Sequence, residues 1–282
     1  MRTEDSPYLF GVGSFWEYKK CETGKRSCLL QNETMRLQNG KDNLSLSLRT
    51  PNAQRVFHVH TWRCGHAARN PDRDYVERAV HLGAKEIWFT DHAPFPGDPF
   101  GGRMPVGLLV DYQKSLQALA EEYEGIIRII PGLETEYFPG MENWYDVLQG
   151  MGFVLLLGQH MYRLPGGGMN FSLPDARKKR EEADGIVDAL IQGMGSGYFI
   201  AVAHPDRAFR YRKDWTAEKT RLAEALLTEA ETSGLPVEDN LSCRKNGQYR
   251  PELWALAEPK RIDRVCGLDA HSPEEIILWG GT

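Results

Sequence analysis

The sequence predicts an α/β fold, a seven-stranded (β/α) barrel. Three observations support this prediction: short apolar runs alternate with amphipathic helical segments, the 282 residues suffice for one large domain, and most histidines follow the apolar runs. Strands that alternate with helices form parallel βαβ units, in either a closed barrel or an open sheet. A barrel delivers every strand to one shared mouth, whereas an open sheet gathers only the strands near its switch point. Chemically capable residues at nearly every predicted strand end therefore favour the barrel.

The first half of the chain supplies four strands and three helices. Each predicted strand is a short apolar or β-branched run, and each predicted helix has apolar residues at helical spacing. In order, the elements are strand Val56–His60, helix Asp72–Leu82, strand Glu86–Thr90, helix Leu109–Tyr123, strand Ile126–Glu134, a helix through Trp144–Leu148 and strand Phe153–Gly158.

The second half continues the same alternation. Ser172 is a suitable N-cap for a long helix, and Ser272 opens a last short helix with capping-box features. The elements are helix Leu173–Gln192, strand Tyr198–Ala203, helix Ala217–Ser233, strand Pro236–Asn240, helix Pro251–Ala257, strand Val265–Leu268 and the helix at Ser272. Residues 1–50 are polar and rich in turns, so we expect a poorly ordered or loosely packed extension before a single domain at 51–282.

Composition excludes several classes of function. The chain carries a net charge of −5, and its one basic run, Arg177–Arg180, is typical of a solvated helix face rather than a nucleic-acid groove. The sequence contains no apolar stretch of about 20 residues and no secretory signal pattern at its N-terminus. Five scattered cysteines without a C-x-x-C pair indicate reduced thiols. We therefore expect a cytoplasmic protein with neither nucleic-acid nor membrane partners.

The histidines carry the main functional signal. In the H-x-H pair His58 and His60, residues two apart on a strand point to the same face, and His66 follows in the next loop. Seven of the eight histidines lie at or just beyond a predicted strand end; only His81 lies inside a helix. Two carboxylates share this placement at the third and seventh strands. These nine groups are His58, His60, His66, His92, Glu134, His160, His204, Asp269 and His271.

Nine ligand groups are too many for one four- to six-coordinate ion, so two or three divalent transition metals are implied. Imidazole-rich ligation suits Zn, Fe or Mn better than Mg or Ca. A carboxylate such as Glu134 can bridge two ions. Paired metals clamp the attacking and leaving oxygens of an in-line displacement and activate a water, which is hydrolase chemistry. A phosphate ester is the commonest substrate of such a centre.

Seven ordered segments resemble the polymerase-and-histidinol-phosphatase (PHP) family, and most of all its stand-alone histidinol-phosphatase-like branch. The resemblance covers about residues 55–277. One departure is Val56, where the family usually has an acidic residue that could orient a ligand histidine. The segments are FHVHTWRCGHA from Phe57, FTDHAP from Phe89, PGLETEY from Pro131, LGQHMY from Leu157, VAHPD from Val202, EDNLSCR from Glu238 and GLDAHSP from Gly267.

The resemblance implies a distorted, TIM-like seven-stranded (β/α) barrel with a trinuclear centre. It places His58, His60, Glu134 and Asp269 on one metal. A second metal shares the bridging Glu134 with His160 and His204, and a third takes His66, His92 and His271. Within this centre, Glu134, Asp269 and His271 are the predicted catalytic groups.

Substrate contacts are predicted from the need for cations around a phosphate, because arginine binds phosphate in a bidentate manner. Arg244 ranks first because it ends the sixth-strand segment, and we also count it among the catalytic residues. Arg207 and Arg210 follow the fifth strand, and Arg103 lies in a Gly-rich loop long enough to act as a lid. The complete set is Arg244, Arg207, Arg210, Arg103 and Asn240, with Arg163 as a further candidate.

These observations predict a metal-dependent phosphomonoesterase, histidinol-phosphatase-like, in which a metal-bridging hydroxide attacks a small phosphate ester. One alternative is a PHP-type nuclease or phosphodiesterase, against which the acidic charge argues. The other alternative is a metal-binding accessory protein without turnover. A structural metal site is closed, whereas a catalytic site keeps an open position.

Overall fold

The computed structural model confirms a seven-stranded barrel. It describes residues 44, 47–50, 52–163, 169–171, 179–210 and 214–280. Seven strands form one parallel sheet in the order β1-β2-β3-β4-β7-β8-β9, and a two-stranded antiparallel sheet pairs β5 with β6. The strands are β1 Arg55–Val59, β2 Glu86–His92, β3 Arg128–Thr135, β4 Val154–Leu157, β5 Met161–Arg163, β6 Met169–Phe171, β7 Ala201–Val202, β8 Val237–Asn240 and β9 Arg264–Gly267.

The first and last strands of the sheet meet, so the barrel closes. Val59 forms a parallel bridge with Ala270 just beyond β9. The backbone N–H of Leu268 donates to the Phe57 carbonyl at 2.9 Å, and that of His60 donates to the Ala270 carbonyl at 2.8 Å. Closure satisfies edge groups that an open sheet would leave unpaired. It also brings the carboxyl ends of β1 and β9, with their histidines, side by side.

Most predicted helices are present within one to three residues of their expected bounds. Two helices keep their predicted bounds unchanged, because capping signals are clear there: the Thr216 side chain accepts from the Lys219 backbone N–H, and Pro251 begins the other helix. The helices are α1 Asp72–His81, α2 Leu109–Glu122, α3 Glu142–Gly150, α4 Lys179–Gly195, α5 Ala217–Ser233, α6 Leu241–Lys245 and α7 Pro251–Ala257.

Some elements differ from the sequence prediction. The predicted start of the long helix, at residues 173–178, lies outside the described residues, and the helix is described from Lys179. The β5–β6 hairpin and helix α6 were not predicted, because both are too short to show a period. The segment after Ser272 forms one 3₁₀ turn, Pro273–Glu275, rather than an α-helix.

Two apolar layers build the core. The inner layer fills the barrel with side chains such as Phe57, Trp88 and Leu156. The outer layer packs the helices onto the sheet, and it includes Val56 and Val59 of β1. Residues 56 and 59 both face outward because β1 carries a bulge, where three steps along β1 match two steps along β2.

A short N-terminal segment packs against the inner layer. Leu48 is 1% exposed and lies in the inner apolar cluster. Arg55, which pairs with Glu86, donates to the carbonyls of Ser47 at 2.8 Å and Thr50 at 3.3 Å. Most of the predicted extension at 1–50 lies outside the described residues, so its separation from the 51–282 domain stays a prediction. Among the described residues, no helix is long and apolar enough to cross a membrane.

Candidate metal centre

All nine predicted ligands lie at one end of the barrel. They lie at or just beyond the carboxyl ends of β1, β2, β3, β4, β7 and β9, where parallel strands share one edge. Most of these side chains are buried; His66 is exposed, and His271 and Asp269 are half-buried. The structure thus brings together residues that are up to 213 positions apart, from His58 to His271. Their assignment as ligands stays a prediction.

Glu134 is the centre of this cluster. Its Oε1 lies 2.7 Å from His204 Nε2 and 3.8 Å from His160 Nε2. Its Oε2 lies 3.0 Å from His92 Nδ1 and 3.4 Å from His58 Nε2. A carboxylate whose two oxygens face different histidines has the geometry needed to bridge two ions.

A glycine on the neighbouring strand makes room for this carboxylate. Gly158, directly after β4, lies where a Cβ atom would collide with the Glu134 carboxylate. Gly267 plays the same part on β9, where a Cβ atom would collide with the Glu238 carboxylate. Only glycine permits such close approach of backbone to a buried side chain.

The H-x-H pair faces a second carboxylate. His60 Nε2 lies 3.2 Å and His58 Nε2 lies 3.7 Å from Asp269 Oδ1. The two imidazole rings are 5.0 Å apart. Simple strand alternation predicted this juxtaposition but not its cause. The bulge in β1 turns both Phe57 and His58 inward, so the pair converges through an irregular strand.

Backbone strain concentrates in this cluster. Three predicted ligands have positive φ: His58 at 68°, Asp269 at 54° and His204 at 27°. Asp98 is the only other non-glycine residue with positive φ in the described part of the chain. Such conformations cost about 1–3 kcal/mol each and persist where the surroundings impose them, which is common at functional sites.

Two outer carboxylates face the opposite nitrogens of the H-x-H pair, one within hydrogen-bond distance of His58 and the other farther from His60. Glu238 lies 2.7 Å from His58 Nδ1, and it also accepts from the His204 backbone N–H and the Asn240 amide. Asp91 Oδ1 lies 3.8 Å from His60 Nδ1. A carboxylate on one imidazole nitrogen fixes the tautomer and directs the other nitrogen to a metal. Val56 stands where the family usually has an acidic residue and cannot orient His58. Glu238 supplies the orienting carboxylate instead.

The sequence analysis missed both of these outer carboxylates as functional groups. A charged residue inside an otherwise buried strand was the available signal. The contact between Glu238 and His58 spans 180 residues and cannot be read from spacing.

The remaining histidines form a more open group. His66 Nε2 and His271 Nε2 lie 3.0 Å apart, and the His66 and His92 rings are 5.2 Å apart. Ligand atoms of His60, His92 and His271 lie within 4.8 Å of one another, as do those of Cys64, His66 and His271. This side of the cluster reaches solvent through His66. A ligand could enter there.

Burial lowers the pKa values of several histidines in the cluster. Burial, reinforced by the Arg103 guanidinium, holds the pKa of His92 well below its usual value. Burial, reinforced by Arg207, does the same for His160. Burial, with the neighbouring His60, lowers the pKa of His271 to about 4. These imidazoles are therefore neutral near pH 7, and the neutral form is the one that binds metals.

The donor set fits divalent transition metals. His58 Nε2, His60 Nε2 and Glu134 Oε2 are buried and have no hydrogen-bond partner among the described residues. Buried polar atoms without partners are rare in proteins and call for an explanation such as a bound ion. Imidazoles and carboxylates, converging within 4.8 Å in several overlapping groups, provide that explanation.

The predicted substrate contacts differ in what they touch. Arg103 pairs with Glu136, a buried carboxylate that was also missed. Arg207 is half-buried, and its Nε has no hydrogen-bond partner among the described residues. Arg244 donates twice to Asp239, at 2.7 Å each, and stacks on Tyr249.

Asn240 has structural partners at both ends of its amide. It caps α6 by accepting from Cys243 N at 2.8 Å and donates to Glu238 at 3.0 Å. Arg210 is half-buried, and its carbonyl accepts from the Arg250 guanidinium. Arg163, at the end of β5, is exposed. The roles of these residues in substrate binding stay predictions.

Comparison with known proteins agrees with this geometry. The PHP domain family model matches residues 57–238, which span β1 to β8. The chain belongs to the PHP domain family. It is 31% identical over 233 residues to a probable histidinol-phosphatase of Deinococcus radiodurans, covering 78% of this chain and 86% of that relative. It is 35% identical over 258 residues to the histidinol-phosphatase of Bacillus subtilis, covering 79% of this chain and 95% of that relative.

A solved structure supports the PHP fold. The histidinol phosphate phosphatase of Lactococcus lactis, complexed with Zn, L-histidinol and phosphate, aligns with a TM-score of 0.58 and 20% identity. The alignment covers 78% of this chain and 86% of that one. At this level of identity the likeness establishes the fold. The family assignment depends on the sequence matches.

Proposed function

We propose that this PHP protein is a cytoplasmic, metal-dependent phosphomonoesterase that hydrolyses histidinol phosphate. The single observation that carries the proposal is the cluster around Glu134, in which buried imidazoles and two carboxylates converge and several ligand atoms have no hydrogen-bond partner among the described residues. Both sequence relatives are named histidinol-phosphatases, one of them as probable. The Lactococcus lactis structure holds Zn, histidinol and phosphate.

We infer that the nine ligands hold two or three ions of Zn, Mn or Fe. When bound, such ions supply an activated water and neutralise the charge of the phosphoryl group. Glu134 would hold two of these ions, and its two oxygens, which face different histidines at 2.7 Å and 3.0 Å, support this role. Asp269 faces both histidines of the H-x-H pair. His66 and His271 form the solvent-facing side, where a phosphate ester can enter.

The chain's own cations complete the phosphate site. Positive charge near His92 and His160 comes from Arg103 and Arg207, which influence the pKa values of those histidines. Guanidinium groups bind phosphoryl oxygens through fixed pairs of N–H donors. Arg207 is a stronger candidate for phosphate binding than Arg244, because Arg244 already forms two hydrogen bonds with Asp239.

A phosphodiesterase is the second candidate function, since the family resemblance includes polymerase-associated members. No specific contact in the described residues favours it, and the net charge of −5 disfavours a polyanionic partner. A non-catalytic metal protein is the third candidate. The solvent-facing side at His66 argues against it, because structural metal sites are closed.

The test is phosphate release by Zn-, Mn- or Fe-loaded protein from histidinol phosphate, phosphotyrosine, AMP, p-nitrophenyl phosphate and bis-p-nitrophenyl phosphate. We expect a strong preference for histidinol phosphate, lost in His160→Ala. Exclusive turnover of the diester would transfer the protein to the phosphodiesterase class. Absence of turnover by metal-replete protein on every ester would favour the non-catalytic role.

A further inference from the structure

Glu136 is a buried carboxylate that the mechanism above does not use. It lies two residues after Glu134, just beyond β3, and is 0% exposed. Its Oε1 accepts from the Arg103 guanidinium and lies 3.5 Å from His160 Nδ1. Its Oε2 has no hydrogen-bond partner among the described residues. Burial of a charged carboxylate has a large desolvation cost even when the charge is paired. The buried pair of Glu136 and Arg103 therefore calls for a functional explanation.

The backbone beneath Glu136 is fixed. The Tyr145 hydroxyl donates to the Glu136 carbonyl at 3.1 Å, and the Thr135 hydroxyl lies 3.2 Å from the same oxygen. Tyr145 itself is buried in the outer apolar layer. The carboxylate is therefore presented from a rigid position, which is what a residue that orients another side chain requires.

The loop that carries Arg103 is anchored on both sides of its exposed tip. The rings of Phe95, Phe100 and Phe138 pack at 5.3–5.7 Å from one another. The Met104 backbone N–H donates to the His92 carbonyl at 3.2 Å. Arg103 thus lies in the loop that follows the predicted metal ligand His92, and its side chain is only 6% exposed. The loop that we expected to act as a lid is therefore fixed in place at its base.

The Arg103 charge lies beside the metal cluster. Its partner Glu136 lies 3.5 Å from His160 Nδ1, and the next residue, Met104, donates its backbone N–H to the His92 carbonyl. The His92 and His160 rings are 5.2 Å apart, so the guanidinium is held on the side of the cluster that these two histidines form. This is where a phosphoryl group bound to the cluster would present its outer oxygens.

We propose that Glu136 is a positioning residue that holds the Arg103 guanidinium towards the substrate phosphate. The proposal depends on the proposed phosphatase function. Arginine has many rotamers, and an unrestrained Arg103 would extend into water. The pair with Glu136 removes that freedom before substrate arrives. His160 does not depend on Glu136 alone, because its Nδ1 also lies 3.1 Å from the Gly158 carbonyl.

The test is a double-mutant cycle of Glu136→Gln and Arg103→Gln in the full-length, Zn-loaded protein. Binding of inorganic phosphate is measured by calorimetry, and kcat and KM are measured with p-nitrophenyl phosphate. We expect each single variant to weaken phosphate binding about tenfold and to raise KM, with Zn content unchanged. The double variant should bind phosphate no more weakly than Arg103→Gln alone. Glu121→Gln, an exposed carboxyl on α2, is the matched control and should behave as wild type.

Other outcomes would overturn the proposal. If Glu136 and Arg103 acted independently, their losses of phosphate affinity would multiply to about a hundredfold in the double variant. A normal phosphate affinity in Glu136→Gln would exclude positioning altogether. If Glu136→Gln does not fold, the double variant replaces both charges and should fold, because no buried charge is left unpaired. Failure of both to fold would make Glu136 purely structural. Wild-type protein inactive on every monoester would instead refute the proposed function.

Discussion

Gly158→Ala is the sharpest perturbation of the candidate centre. The new methyl group would occupy the space of the Glu134 carboxylate, so that carboxylate must shift. Its oxygens already lie 2.7 Å from His204 and 3.0 Å from His92. The added methyl group must therefore displace the Glu134 carboxylate by a distance on the order of an ångström.

A misplacement of about 1 Å can cost about a hundredfold in rate, which corresponds to roughly 2.7 kcal/mol of transition-state stabilisation. We therefore expect Gly158→Ala to lose about a hundredfold in kcat/KM on p-nitrophenyl phosphate and to bind metal more weakly. The assay pairs initial rates with metal content by mass spectrometry. Gly150→Ala is the control: Gly150 ends α3 with nothing within 4 Å of its added Cβ. Full activity and full metal content in Gly158→Ala would refute the reasoning.

Three further predictions address orientation, metal and pH. Glu238→Gln should lower Zn affinity by about 10–100-fold in a competition assay with a chelating dye, because His58 loses its orienting carboxylate. Removal of metal with EDTA should lower the melting temperature by about 5–10 °C, reversibly on adding Zn, since a ligand at 100 times its Kd contributes about 2.7 kcal/mol. Burial raises the pKa of Asp206 to about 7, so its ionisation should destabilise the fold as pH rises from about 4 to 7. Asp206→Asn should therefore gain melting temperature over wild type across that interval.

Each of these predictions has a clear contrary result. Unchanged Zn affinity in Glu238→Gln would show that His58 needs no orienting partner. An identical melting curve with and without EDTA would show that the fold does not depend on metal. The sign for Asp206 follows from its raised pKa: below pH 4 both folded and unfolded states are protonated, and above pH 7 the penalty is complete. Parallel pH profiles for wild type and Asp206→Asn would contradict it.

Much of the fold was predictable because the core pattern is local. Helix α5, Ala217–Ser233, has a capping threonine before it and a glycine after it, and both signals lie within the segment. The length of the shortest strand was not predictable: β7 lies within the predicted strand Tyr198–Ala203 but is much shorter. Strand β7 has two residues, Ala201 and Val202, and exists because β4 and β8 pair with it on either side.

The residues of the candidate centre likewise divide into those that could be predicted from the sequence and those that could not. The predicted ligands were visible because histidine is a distinctive residue and strand ends of a barrel converge. The groups that hold those histidines were not visible, because their partners are distant in sequence. Glu238 and Asp91 look like ordinary acidic residues until the fold places them behind His58 and His60. The bulge at His58 is equally non-local, since it is defined by the register with β2.

The most direct test of the central claim is a titration of metal-free protein with Zn, in which bound metal per chain and phosphate release from histidinol phosphate are measured on the same samples. Activity should be absent without metal and should rise as the second ion binds. Full activity in protein free of metal would contradict this claim, as would two or three bound ions without any release of phosphate.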